Sequence, residues 1–267
     1  MDESLTNEML DQTKGVAVEM YKDLVSPSAK PIGEVLSLLP RTVRLAFGGW
    51  EKWLINKEES LMLTTIAIRE KVDKIPEDKL VEPEAHIAIP AIQQLCYCQD
   101  SAELRDLYAN LLTSSMNADK KWQVHPAFVD IVKQLCPDEA KYLKAMAPIA
   151  IQVYPLIDVA FSIGENPRGE HTVVSNFTDY NLHVLEYPQN ICSYIDNLIR
   201  LNIIEVPAGQ YVVDQEAYKR IEGNTMIKNP IGVDEEKLKA DIKYTYKHKL
   251  FRLTNFGVKF INVVCKE

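Results

Sequence analysis

Residues capable of chemistry are scattered along this chain and form no known catalytic pattern. None of the five histidines has a partner at the spacing of metal ligands, and the five cysteines fit no zinc pattern. Ser114 and Ser115 do not lie in a Gly-x-Ser-x-Gly turn, and no Gly-x-x-x-x-Gly-Lys phosphate loop occurs. The sequence therefore predicts no catalytic residue, cofactor or metal site, and favours a protein that is not an enzyme.

Two weaker patterns have structural explanations that we favour. Glu103 and Asp106 could perform acid–base chemistry, but a solvated helix face explains them better. His125 precedes a helix start at Pro126, and we expect it to cap or brace that helix.

A run of basic and aromatic residues, 243–252, has the composition of a nucleic-acid contact. Its candidate contacts are Lys243, Lys247, Lys249 and Arg252. The alternative, which we favour, is an edge strand whose charges prevent association with other sheets.

The segment 31–54 is apolar on several sides, and Arg41, Arg44 and Lys52 accompany its tryptophans. Such a segment can lie on a membrane surface or bind a partner, whereas the interpretation that we favour is a core helix. The candidate contact residues are Arg41, Arg44, Phe47, Trp50 and Trp53. One hypothesis is that the segment is packed away at rest and is released onto a membrane on activation.

Composition limits the class of protein. The formal net charge is −8 over 267 residues, and neither half of the chain is basic, as a protein that coats nucleic acid would be. The acidic start does not resemble a secretory signal, and no uncharged apolar run is long enough to span a membrane. Five cysteines in an odd, unpatterned set suit a reducing compartment. We expect a cytoplasmic protein.

Apolar residues at helical spacing dominate the first part of the chain. They predict a long helix over 58–74, a shorter one over 85–98 and a helix capped by Asp100 that continues to residue 116. Further helices are expected to open at Pro126 and Pro137. We therefore predict a helical domain over residues 1–148.

The pattern changes after Pro148, where β-branched and aromatic residues become denser. It predicts a helix over 190–200, a hairpin from 203–206 and 210–213, a charged helix over 234–243, a strand at 250–253 and a last helix capped by Thr254. This order favours a winged-helix-like α+β domain over residues 149–267, so that the fold class is mainly α with a C-terminal α+β domain.

Several segments resemble the Abi-alpha (abortive infection alpha) family. They are Lys74–Pro83, Leu104–Met116, His125–Val129 and Gln134–Ala140. Lys30–Glu34 resembles the entry into the family's first conserved helix, and Leu253–Phe260 resembles its closing motif, although the C-terminal third matches less specifically. The core of the resemblance covers residues 30–147. One departure is Cys136, where a serine cap is expected before Pro137.

The resemblance implies a role in bacterial defence against phage but supplies no catalytic residue. We therefore predict a protein that acts by binding a phage or host protein. The alternatives are a winged-helix DNA-binding regulator and a membrane-acting effector through segment 31–54. Homo-oligomer formation, nucleic-acid binding and contact with a membrane surface stay open.

Overall fold

The computed structural model of the protein describes residues 68–98, 101–147, 153–163, 169–228, 230 and 242–266. These residues form two compact units, 1–130 and 131–266, of which the first is described from residue 68. This division lies earlier than the domain boundary that the change of composition suggests at residue 148, and that boundary stays a prediction.

The first unit is helical in its described part. Residues 68–72 are helical, and two longer helices follow, α1 (Ala85–Tyr97) and α2 (Ala102–Ser115). A third helix, α3 (Ala127–Lys133), crosses the division between the units. The prediction of helices in these regions is confirmed.

The stripe of apolar residues on α2 is the core of this unit. Leu107, Tyr108, Leu111 and Leu112 are all inaccessible to solvent, and α1 packs against α2. The Tyr108 hydroxyl donates a hydrogen bond to the carbonyl oxygen of Val129 in α3 at 3.2 Å. This bond confirms that α2 and α3 pack together, as their apolar patterns indicated.

The starts of α2 and α3 decide two expectations about helix ends. Ser101, and not Asp100, caps α2, because its hydroxyl accepts the backbone N–H of Leu104 at 3.2 Å. The ring nitrogen Nδ1 of His125 accepts the N–H of Ala127 at 3.1 Å and so braces α3 as predicted. Pro90 lies inside α1 without ending it.

The second unit contains α4 (Pro137–Met146) and a four-stranded antiparallel sheet. Its strands are β1 (Val153–Ile163), β2 (His171–Phe177), β3 (Ile204–Glu205) and β4 (Ile242–Leu253), in the order β2-β1-β4-β3. Its remaining helices are α5 (Ile191–Arg200), α6 (Gln215–Glu222) and α7 (Asn255–Phe260), and a π-helical turn, Ile261–Cys265, follows α7. The mixed α+β class is confirmed.

The predicted hairpin is wrong. Residues 210–213 form no strand, and β3 pairs with the C-terminal end of β4 through Ile204↔Leu253 and Glu205↔Arg252. The turn itself is present, since Gly209 has a φ of +70° and Gln210 N–H reaches the Pro207 carbonyl oxygen. The wing of a winged helix is therefore missing at this place, and the winged-helix-like arrangement is not confirmed.

The other predictions for this unit have mixed outcomes. The helix over 190–200 and the strand at 250–253 are confirmed by α5 and β4. Thr254 caps α7 as expected, because its hydroxyl accepts the N–H of Gly257 at 2.8 Å. The predicted helix over 234–243 falls mostly outside the described residues, and its last two residues belong to β4.

Candidate functional site

The first predicted contact set lies on the apolar segment 31–54. Arg41, Arg44, Phe47, Trp50 and Trp53 all fall outside the described residues. A membrane or partner contact through this segment stays a prediction.

The second predicted set lies on β4, which pairs with β1 in unbroken register from Ile242 to Arg252. Side chains alternate between the two faces of a strand, so Lys243, Lys247 and Lys249 share one face and Arg252 lies on the other. Lys249 is half-buried, and the other three are exposed. The strand therefore brings three of the four cations together.

Carboxylates neutralise three of these cations. Lys247 Nζ lies 2.9 Å from Glu170, Lys249 Nζ 2.8 Å from Asp158, and Arg252 Nε 2.7 Å from Glu205. Hydrogen bonds from Lys247 and then from Thr245 lower the pKa of Glu170. Paired cations attract phosphate less strongly than unpaired ones, so these three side chains add little of the positive potential that nucleic acid requires.

The half-buried lysine belongs to a group of five residues, the Asp158 cluster: Asp158, Asn176, Cys192, Asp196 and Lys249. Lys249 Nζ donates to Asp158 at 2.8 Å and to the Asn176 side-chain oxygen at 2.6 Å. The backbone N–H of Asn176 also reaches Asp158, and its amide nitrogen donates to Asp196 at 2.7 Å. Asn176 adopts a φ of +57°, a conformation that asparagine tolerates better than most residues. The cluster ties β1, β2, β4 and α5 together.

The chemistry of this cluster is charge pairing. Burial raises the pKa of the Cys192 thiol to about 11, and the negative charges of Asp196 and Asp158 add to the effect. The thiol is protonated at neutral pH and therefore lacks the thiolate form that nucleophilic cysteines use. The lysine and the carboxylates hold three strands and a helix in place.

A second group, the His248 cluster, lies where α6 meets β4. His248 Nε2 is 2.7 Å from Glu222, and its ring stacks on Tyr218 with the centroids 4.0 Å apart. The Tyr218 hydroxyl donates to the Lys249 carbonyl oxygen at 2.6 Å and accepts the N–H of Val212 at 2.8 Å. A histidine–carboxylate pair can move a proton, whereas the tyrosine is engaged with the backbone. The sequence pattern did not reveal this pair, because its two members lie 26 residues apart.

Among the residues that the structure describes, the most deeply buried carboxylic acids are two consecutive residues, Asp138 and Glu139, in the first turn of α4. Asp138 accepts the backbone N–H groups of Glu186 at 3.0 Å and Tyr187 at 2.8 Å, and the hydroxyl of Tyr194 at 3.2 Å. Burial acts to raise the pKa of Asp138, but these hydrogen bonds and that of Lys141 outweigh it and hold the pKa below its usual value. Asp138 therefore remains an anion and fastens α4 to the segment before α5.

For Glu139, burial affects the pKa more strongly than the hydrogen bonds do. Its carboxylate accepts the N–H of Cys136 at 2.7 Å and the side-chain amide of Asn197 at 2.8 Å. Burial nevertheless raises its pKa, because it outweighs these two bonds. The bond to Cys136 closes the start of α4, so Glu139 supplies a contact at the cap where cysteine replaces the expected serine. The pattern Pro137-Asp138-Glu139 predicted acids suited to a helix start but not their burial.

Among the described residues, no group of three or more His, Cys, Asp or Glu side chains could hold a metal ion. No described helix is long and apolar enough to cross a membrane. Cys98, Cys136, Cys192 and Cys265 form no disulfide in the described part of the chain.

Comparison with solved structures gives a partial likeness to an uncharacterized protein from the hydrocarbon-degrading marine bacterium Alcanivorax borkumensis SK2. It is 11% identical, its TM-score is 0.34, and the match covers 56% of this chain and 96% of that one. No curated protein matches the chain.

The family comparison covers most of the sequence. The model of the family described as abortive infection alpha matches residues 56–264. This span includes the Asp158 and His248 clusters, the paired carboxylates of α4 and the segments at 74–83, 104–116 and 134–140 in which the resemblance was first seen. The chain therefore belongs to the abortive infection alpha family.

Proposed function

We propose that this protein acts in bacterial defence against phage and that it does so by binding a phage or host protein, without catalysing a reaction. Membership of the abortive infection alpha family across residues 56–264 is the observation that carries the proposal, since it indicates a function related to abortive infection. The charged clusters of the second unit hold its strands and helices together, because their members bond to one another and to the backbone.

A loop on the second unit has properties suited to a protein contact. Tyr211 is 58% exposed and Val213 is 88% exposed, although large apolar side chains more often lie inside a protein. The backbone between them is held in place, since Val212 N–H bonds to the Tyr218 hydroxyl at 2.8 Å. A side chain presented on a fixed backbone loses little entropy on binding, which favours affinity.

The two alternatives have less support. A winged-helix regulator would use a wing that is missing at residues 210–213, and three of its four candidate cations are paired with acids. A membrane-acting effector depends on segment 31–54, which lies outside the described residues.

The first experiment compares bacteria with and without the gene during phage infection. We expect fewer phage per infected cell when the gene is present, together with loss of the infected cells. Equal phage yields across a broad set of phages would contradict the defence role.

The second experiment tests binding. The tagged protein is cross-linked in infected and uninfected cells, and captured proteins are compared for the wild type and for Tyr211→Ser combined with Val213→Ser. Lys219→Ser is the matched control, because it changes an exposed residue of the adjacent helix α6. We expect a specific protein to be captured by the wild type and the control and lost from the double variant. Capture of the same protein by all three would exclude the loop as the contact surface. In a separate binding assay, affinity for duplex DNA that falls steeply with salt concentration would favour the DNA-binding regulator.

A further inference from the structure

Two buried polar atoms in the second unit have no hydrogen-bond partner among the residues that the structure describes. They are the hydroxyl oxygen of Tyr142 and the side-chain nitrogen Nδ2 of Asn181. Tyr142 is completely buried. Folded proteins rarely leave such groups unpaired, because the lost hydrogen bonds to water are not replaced.

The two atoms belong to elements that pack against each other. Tyr142 lies in α4, and Asn181 directly precedes the 3-10 turn Leu182–Val184, which contacts α4. Asn181 has a φ of +56°, so its backbone already adopts an uncommon left-handed conformation.

The surroundings of the Tyr142 hydroxyl are polar. Burial raises the pKa of Tyr142, and Tyr154, Tyr180 and Asp179 raise it further through their charges. The rings of Tyr154 and Tyr180 lie 4.3 Å apart. Two phenols and a carboxylate therefore lie close enough to the unpaired hydroxyl to affect its pKa.

We propose that one internal water molecule binds between α4 and residues 178–184 and bridges Tyr142 and Asn181. The amide of Asn181 donates to the water oxygen, and the water exchanges a second hydrogen bond with the Tyr142 hydroxyl. A cation does not suit the amide nitrogen of Asn181, because that group can only donate a hydrogen bond. An anion does not suit this place either, since Asp179 contributes a negative charge. Water can both donate and accept, and a polar site with several partners is where buried water is usually found.

This water extends a chain of contacts across the second unit. Asp179, two residues before Asn181, forms hydrogen bonds of 2.6 and 2.9 Å with Arg220 in α6. The water thereby connects α4, through residues 178–184, to α6.

A high-resolution crystal structure of the intact chain tests the site directly. We expect one density peak within about 3.2 Å of both Tyr142 Oη and Asn181 Nδ2. The absence of density between two well-ordered side chains would overturn the proposal.

Unfolding measurements on Tyr142→Phe give a second test, because the direction in which the unfolding equilibrium constant changes distinguishes a paired hydroxyl from an unpaired one. If a water pairs the hydroxyl, Tyr142→Phe should raise the unfolding equilibrium constant about two- to tenfold, as the loss of an ordinary hydrogen bond does. If the hydroxyl is truly unpaired, the same change should leave the constant unchanged or lower it. Tyr108→Phe is the matched control, because that buried phenol donates to the Val129 carbonyl oxygen.

A double-mutant cycle shows whether both residues share the water. Asn181→Gly removes the amide while glycine accepts the left-handed backbone. If one water bridges the two side chains, the effects of Tyr142→Phe and Asn181→Gly on the unfolding constant should be non-additive. Additive effects would overturn the shared site, and the crystallographic test remains decisive if a variant does not fold.

Discussion

The buried carboxylate of Asp138 gives the sharpest prediction about stability. Asparagine has nearly the same shape, but it replaces one accepting oxygen with a donating NH₂ group. In the wild type both oxygens accept backbone N–H groups, Glu186 N at 3.0 Å and Tyr187 N at 2.8 Å. Whichever way the new amide turns, one of these N–H groups meets another donor. We expect Asp138→Asn to destabilise the protein.

The magnitude follows from the bonds that are lost. A hydrogen bond to a charged group contributes about 1.5–3 kcal/mol, and a buried donor left unpaired costs about 1–3 kcal/mol. Asp138 is 3% exposed, so water cannot replace the missing acceptor. The expected loss in the free energy of unfolding is about 3–5 kcal/mol.

Urea unfolding at pH 7, followed by circular dichroism, measures this loss. Glu216→Gln is the control, because it removes the same charge from an exposed pair with Lys219 and should change stability by less than about 1 kcal/mol. Since the pKa of Asp138 is lowered in the folded state, its contribution is present above the unfolded pKa and declines as the pH falls through the folded pKa. A loss below about 1 kcal/mol for Asp138→Asn at pH 7 would refute the reasoning.

Three further predictions concern single residues. Gly257→Ala should lower the free energy of unfolding in urea by at least about 2 kcal/mol, because the added methyl group would overlap the Ile203 carbonyl oxygen. The control Gly223→Ala should change it by less than about 1 kcal/mol. Equal effects of the two substitutions would show that the backbone around Gly257 moves to accept the methyl group. The pKa of Glu139 is raised, so the folded state binds the proton of this carboxyl more tightly than the unfolded state, and its contribution to stability falls as the pH rises above 4.5. Glu139→Gln should therefore make the free energy of unfolding fall less steeply with pH. An unchanged dependence on pH would contradict this assignment. Cys192, with its pKa of about 11, should react with iodoacetamide at pH 8 at least tenfold more slowly than glutathione does, and an equal rate would contradict the assignment.

Local patterns predicted the elements whose signals lie within a few residues. The apolar stripe of α2, the proline that opens α4 and the threonine that caps α7 each act on their own helix, so the sequence reports them directly. The hairpin failed for the opposite reason. Its turn at Gly209 is present, but β3 gains a better partner in β4, and this pairing joins residues 47 positions apart.

At the candidate site too, the sequence did not predict contacts between residues that lie far apart in the chain. Lys243, Lys247 and Lys249 share a face because side chains alternate along β4, a property that follows once the strand is known. Their partners could not be predicted, since Asp158 lies 91 residues before Lys249 and reaches it only through the pairing of β1 with β4. The burial of Asp138 was missed likewise, because its partners at Glu186 and Tyr187 come from a distant segment.

The strand order β2-β1-β4-β3 has a consequence for synthesis on the ribosome. β4 is the last strand to be made, yet it lies between β1 and β3. While β4 is still inside the ribosomal exit tunnel, β2 is the one partner of β1 already made among the described strands, and the other edge of β1 is open to wrong partners. Contacts so distant in sequence form slowly, so the nascent second unit is expected to depend on chaperones until residues 242–253 emerge.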